Sequence, residues 1–149
     1  MLTIRKQRCA GCAALTLLAL TLGCGNTREL GEVRGIVRYN GKPLEFGSVM
    51  FQPSAGRPAV AQIQSDGTFV LSTPTEGDGA PVGQNQVRVT CYEIQKPGAS
   101  VSDAEENAFG KSLIPEKYAS YATSGITVDV KPGDNELIEI NLTDNASGN

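Results

Sequence analysis

The side chains in this sequence that could do chemistry are cysteine, carboxylate and tyrosine, because its 149 residues contain no histidine. That absence removes the side chain most used as a general base and the commonest nitrogen ligand for zinc. A serine nucleophile would lack its usual activator. Of the four cysteines, Cys9 and Cys12 sit near the N-terminus, leaving Cys24 and Cys91, too few for a disulfide framework. Cys91 alternates with Val87 and Val89, a spacing that puts it on the inner face of a strand as a small buried hydrophobe. Asp66 lies in Ser65-Asp66-Gly67, which is turn chemistry, and no loop has the Asp-x-Asp-x-Asp-Gly spacing of a calcium site. Asp103, Glu105 and Glu106, with Glu93, read as a solvated acidic loop. Tyr92, Tyr118 and Tyr121, with Phe109, are the candidate ligand contacts: they would either form an aromatic platform for a sugar or peptide or close the ends of the fold. No catalytic residue, metal or cofactor is expected.

Cys24 stands in a different context. Arg5, Lys6 and Arg8 precede Ala10 to Leu22, an uncharged and mostly apolar run too short to span a bilayer, which needs ~20 residues. This is the layout of a signal peptide over residues 1–23. The run ends in Thr21-Leu22-Gly23-Cys24, which resembles the lipobox of bacterial lipoproteins, although Thr21 stands where that motif favours Leu and Leu22 where it favours a small residue. The resemblance implies that the Cys24 thiol becomes a thioether to diacylglycerol and that Cys24 is the first residue of the exported protein. Two or more acyl chains, at ~0.8 kcal/mol per buried methylene, hold a small domain to a membrane almost permanently. Gly25 follows the cysteine where an Asp would favour inner-membrane retention, so the outer membrane is the expected location. An ordinary signal peptide with Cys24 left as a free thiol or paired to Cys91 is the competing reading.

What must position these groups is a single domain. Removing residues 1–23 leaves 126, enough for an independent core. It also raises the acidity: the whole chain carries net charge −3, and without Arg5, Lys6 and Arg8 it has 10 basic against 16 acidic residues, or −6. Nucleic acid is therefore excluded as a partner, since its backbone calls for clustered Lys and Arg. After a polar tether at 24–31, period-2 alternation recurs in seven short runs between turn residues, the signature of strands buried on one face. Their inward residues are Val33, Gly35, Val37 and Tyr39; Gly47, Val49 and Phe51; Ala59, Ala61 and Ile63; Phe69 and Leu71; Val87, Val89 and Cys91; Ile126, Val128 and Val130; and Ile138, Ile140 and Leu142. Asn40-Gly41 and Asp66-Gly67 each predict a hairpin, and Lys131 to Asn135 a turn.

Seven such strands fit an all-β, antiparallel Greek-key sandwich over residues 32–143. The alternation fails between Glu93 and Ser124, so 94–123 is expected to be an irregular insert. It would hold a helical turn at Ser102 to Asn107 capped by Ser102, and Leu113 to Tyr121 would pack across a sandwich edge. Residues 144–149 form a polar tail.

Val33-Arg34-Gly35-Ile36-Val37, Asn40-Gly41-Lys42-Pro43-Leu44, Gly47-Ser48-Val49-Met50-Phe51 and Ser65-Asp66-Gly67-Thr68-Phe69 together resemble the carboxypeptidase regulatory-like domain of the transthyretin-like superfamily. Ala80-Pro81-Val82-Gly83 and Leu113-Ile114-Pro115-Glu116-Lys117-Tyr118 resemble the version found in small bacterial lipoproteins. The resemblance implies a seven-stranded sandwich that is not itself a peptidase. Hydroxyisourate hydrolase shares the superfamily, but its histidines and its terminal Tyr-Arg-Gly-Ser have no counterpart here. The expectation is a non-catalytic, lipid-anchored envelope module that binds an envelope protein or glycan; a carbohydrate-binding module is the first alternative and an enzyme built on Asp, Glu and Tyr the last.

Overall fold

A computed structural model of the chain describes residues 29–99 and 110–144. Cys24 and the 1–23 leader, most of the tether, the helical turn expected at Ser102 to Asn107, Phe109 and residues 145–149 lie outside the described residues. Within them the protein is mostly β, and each of the seven alternating runs contributes a strand. In chain order the strands are β1 Leu30–Glu32, β2 Arg34–Tyr39, β3 Lys42–Pro43, β4 Ser48–Pro53, β5 Ala59–Gln62, β6 Thr68–Val70, β7 Ala80–Pro81, β8 Gly83–Thr90, β9 Ile126–Val130, β10 Gly133–Asp134 and β11 Ile138–Leu142. One α-helical turn, α1, covers Tyr121–Ser124. None of the described helices is long and apolar enough to cross a membrane.

β5, β4, β8 and β9 form one antiparallel sheet in that order. Val49 opposes Val89 and Phe51 opposes Val87 on its inner face. A second sheet centres on β2, with β11 on one side and β3 and β6 on the other. Here the expectation of wholly antiparallel pairing is corrected: β11 runs parallel to β2, from Ile138 opposite Gly35 to Leu142 opposite Tyr39, and β10 runs parallel to β1. Alternation records which face of a strand is buried and carries no direction, so the sequence pattern could not distinguish the two. Phe51 from the first sheet and Phe69 from the second meet with ring centroids 6.4 Å apart and planes tilted by 51°. Both are fully buried, as are Val33, Val37, Leu71, Val87 and Leu142, so one apolar core lies between the sheets.

The two expected hairpins differ. Asn40 and Gly41 both take positive φ, 50° and 79°, which is the type I′ turn that matches strand twist, and β2 and β3 pair directly across it. At Asp66-Gly67 the turn is present: Gly67 at φ 85° donates to Gln64 O and Gln64 N–H donates to Thr68 O, both at 2.8 Å. The paired ladder expected beyond it is not, because β5 stays on β4 while β6 crosses to β2, and only Val60 and Ser72 bridge them again. The turn is therefore a corner between sheets.

At the end of the domain where β1 begins, here called the root, three backbones pass at close range. A Cβ on Gly79 would lie 1.9 Å from Gly31 O, and one on Gly31 would lie 2.1 Å from Lys131 O. The Asn135 side chain ties this end together, donating to Lys131 O at 2.9 Å and Glu32 O at 3.1 Å while accepting from Lys131 N–H at 2.9 Å. The opposite end, the tip, holds the Asn40–Gly41 turn, the Asp66–Gly67 corner and the 3-10 turns at Glu93–Gln95 and Glu116–Ala119.

Candidate functional site

The residues singled out for ligand contact meet the sheet along β8. The β8–β9 ladder ends at Val87 opposite Ile126, which leaves Arg88 to Cys91 with an open side. Residues 113–124 fill it. Leu113 N–H donates to Cys91 O at 2.8 Å, and Ser124 Oγ donates to Val87 O. Ile114 and Tyr118 drop into the core, which is the edge packing expected of Leu113 to Tyr121. α1 begins at Ser120, whose hydroxyl accepts from Ala122 N–H, and ends at Gly125 with φ 67°, the left-handed stop that glycine supplies without strain.

The three tyrosines take different roles. Tyr118 is 5% exposed, and its hydroxyl both donates to Thr143 O and accepts from Thr143 N–H at 3.1 Å, stapling the insert to the end of β11. Lys117 Nζ lies 4.6 Å from the centre of that ring. This geometry closes the core and leaves Tyr118 little surface to offer a sugar. Tyr121 is half-buried on the outer side of β8, and the Arg88 guanidinium stacks 5.1 Å from its ring centre. Arg88 also reaches Ala119 O and Met50 Sδ, both at 3.5 Å. Its Nε and the Tyr121 hydroxyl are buried without hydrogen-bond partners, and desolvation raises the Tyr121 pKa. Tyr92 is half-buried at the start of the insert, its backbone N–H donating to Gln95 Oε1 at 2.8 Å. Gln95 donates onward to Ser48 Oγ at 3.0 Å, so the polar outer face of β4 is bonded to the first turn of the insert.

Strand alternation puts Arg88 on the outer face, but nothing in the sequence marks it as the residue that stacks on Tyr121. A second cluster escapes sequence patterning altogether. At the tip, Tyr39 donates to Asp144 and Asn40 Nδ2 donates to Asp144 Oδ2 at 2.8 Å, while Asp144 N–H returns to Asn40 Oδ1 at 3.4 Å. The Tyr39 hydrogen bond, followed by that of Asn40, holds the Asp144 carboxyl below its usual range, and the same contact raises the pKa of Tyr39. The C-terminal end of the described chain is thus clasped to the first hairpin.

Asp66 behaves as a turn residue. Its Oδ1 accepts from Thr68 Oγ at 2.6 Å and Thr68 N–H at 3.0 Å, which lowers its pKa. Cys91 is a free thiol, 1% exposed, and burial pushes it up to about 11. Among the described residues no three Cys, Asp or Glu side chains lie close enough together to hold a metal ion. A cavity of about 560 Å³ opens where β5 and β6 part and is lined by Val60, Gln62, Gln64, Phe69, Val70 and Glu76 among others. It holds no converging pair of titratable groups. No family model, curated protein or solved structure matches this chain.

Proposed function

We propose that this chain is an exported bacterial lipoprotein, anchored to the envelope through acyl chains on Cys24 and more readily to the outer than the inner membrane. Its one folded domain is read as a Greek-key sandwich of the carboxypeptidase regulatory-like type that binds or braces and does not catalyse. Its partners are the membrane, through the anchor, and an envelope protein or glycan. The observation that carries the reading is the juxtaposition of leader and domain: β1 begins at Leu30, six residues after a cysteine that closes a short apolar run behind Arg5, Lys6 and Arg8. The strand order lends support to the Greek key, since the chain changes between the two main sheets from β3 to β4, from β5 to β6, from β6 to β8 and from β9 to β11. Parallel pairing of β2 with β11, with one core between the sheets, is consistent with the same topology. Commitment of Tyr118 to core closure weakens the carbohydrate-binding alternative.

Intact-mass analysis of the protein from its host envelope tests the anchor. A mature species starting at Cys24 with two or three acyl chains, labelled by palmitate and released to the soluble fraction by Cys24→Ala, is the expected result. A product that retains residues 1–23, or one cut elsewhere with a free Cys24 thiol, would remove the proposal.

A further inference from the structure

We infer that the domain stands on end above the bilayer, root toward the lipid and tip directed away from it, an orientation that rests on the acylation of Cys24 proposed above. Cys24 precedes β1 by six residues, and a chain of that length reaches at most about 20 Å in any conformation. β1 and β2 carry the chain from Leu30 at the root to Tyr39 near the tip, a rise of about 30 Å at ~3.3 Å per residue. The tether is shorter than the sheet. The tip therefore reaches the bilayer only if the whole domain lies down on one of its faces.

Neither sheet offers a face suited to lying down. Binding flat to headgroups takes a broad apolar stripe or a basic patch. On the outer face of the β2 sheet Arg34 and Arg38 alternate with Ile36, and Val70 is exposed opposite Arg34, but this apolar surface is narrow and broken by charge: Arg34 is paired with Asp134 at 3.0 Å, and Glu139 stands opposite Ile36 on β11. The outer face of the β4–β8 sheet carries Ser48, Gln52, Gln86 and Thr90 around Met50 and Arg88, and that arginine is stacked on Tyr121. The root itself is mildly acidic: Glu29, Glu32, Asp134 and Glu136 are exposed there against Arg34, Arg57 and Lys131. Anionic headgroups repel such an end within a Debye length, ~8 Å at physiological salt. The root therefore stands off the surface without embedding, and the Asn40–Gly41 turn with the clasped Asp144 becomes the outermost structure.

The test uses acylated protein in vesicles containing a nitroxide-labelled lipid, with a fluorophore at Ala55→Cys in the root loop or at Lys42→Cys beside the tip turn. Cys24 is blocked by its thioether and Cys91 is buried, so labelling is specific. Quenching at position 55 is expected to exceed that at position 42 several-fold, and insertion of about 20 Gly/Ser residues after Asn26 is expected to erase the difference. Equal quenching, or stronger quenching at position 42, in protein that floats with the vesicles overturns the orientation and leaves the anchor standing. A difference that survives the insertion overturns the short tether as its cause. Protein that fails to float removes the anchor, and the orientation falls with it.

Discussion

Burial of the Cys91 thiol has a measurable cost at alkaline pH. The side chain is 1% exposed in a core with Val49, Val87 and Val89, and loss of hydration pushes its pKa from 9.0 to about 11. As pH rises, the unfolded chain releases this proton first and the folded chain holds it, so stability falls while the two differ. The contribution is complete below the unfolded pKa and is lost as pH climbs through the folded one. A gap of about two pH units, at roughly 1.4 kcal/mol each, corresponds to about 2–3 kcal/mol. Urea unfolding of the reduced protein and of Cys91→Ala, in steps from about pH 8 to about pH 11, isolates this quantity, because every other group titrates alike in both. The difference in unfolding free energy between the two proteins is expected to fall by about 2–3 kcal/mol across that range. A difference that stays flat would refute the reasoning, as would a folded-state thiol that reacts with a disulfide reagent as fast as free cysteine.

Gly79→Ala forces a Cβ to within 1.9 Å of Gly31 O at φ 92°, so overpacking and backbone strain together should cost at least about 3 kcal/mol; a melting temperature within a few degrees of the parent would contradict the close passage at the root. Tyr118→Phe deletes the hydroxyl that bonds both backbone groups of Thr143 while keeping the ring, and should cost about 1–2 kcal/mol in chemical unfolding. The Tyr39–Asp144 clasp should have an acid and an alkaline limit. The lowered pKa of Asp144 means its contribution is present above the ordinary carboxyl range and lost as pH falls through the folded value; the raised pKa of Tyr39 means its share is lost as pH rises through that value. Carboxyl titration by NMR should show the Asp144 pKa rising in Tyr39→Phe, and an unchanged value would dissolve the clasp.

Period-2 alternation located β2, β4, β5, β6, β8, β9 and β11 because each buries a single face, and that condition is local; the short strands β1, β3, β7 and β10 are too brief to show it. It was silent on anything set by two sheets acting on one segment. Asn40-Gly41 is legible as a hairpin since both residues take positive φ and β3 pairs straight back onto the end of β2, while β11 takes the other edge of β2. Asp66-Gly67 has equally clear turn chemistry, yet its flanks are claimed from opposite sides: Ile63 N–H bonds to Gly47 O at 3.0 Å, holding β5 to β4, while Val37 N–H bonds to Gly67 O at 2.9 Å, drawing the corner onto β2. The ladder loses to these longer-range bonds. The parallel match of β2 with β11 joins the first long strand to the last and is equally invisible to a window a few residues wide.

The tyrosines show the same limit where it matters for function. Composition presents Tyr92, Tyr118 and Tyr121 as equivalent aromatic groups in an irregular insert, and only their distant partners separate them: Thr143 for Tyr118 and Arg88 for Tyr121. Those partners exist because β9 stops pairing at Val87 and leaves the last residues of β8 exposed to whatever the insert can supply. An apolar core with an open side must be covered, and residues 113–124 cover it with Ile114, Tyr118 and a stacked Tyr121. Tyr118 is thereby spent on closing the core and Tyr121 on stacking against Arg88, which leaves Tyr92 as the one of the three that does neither.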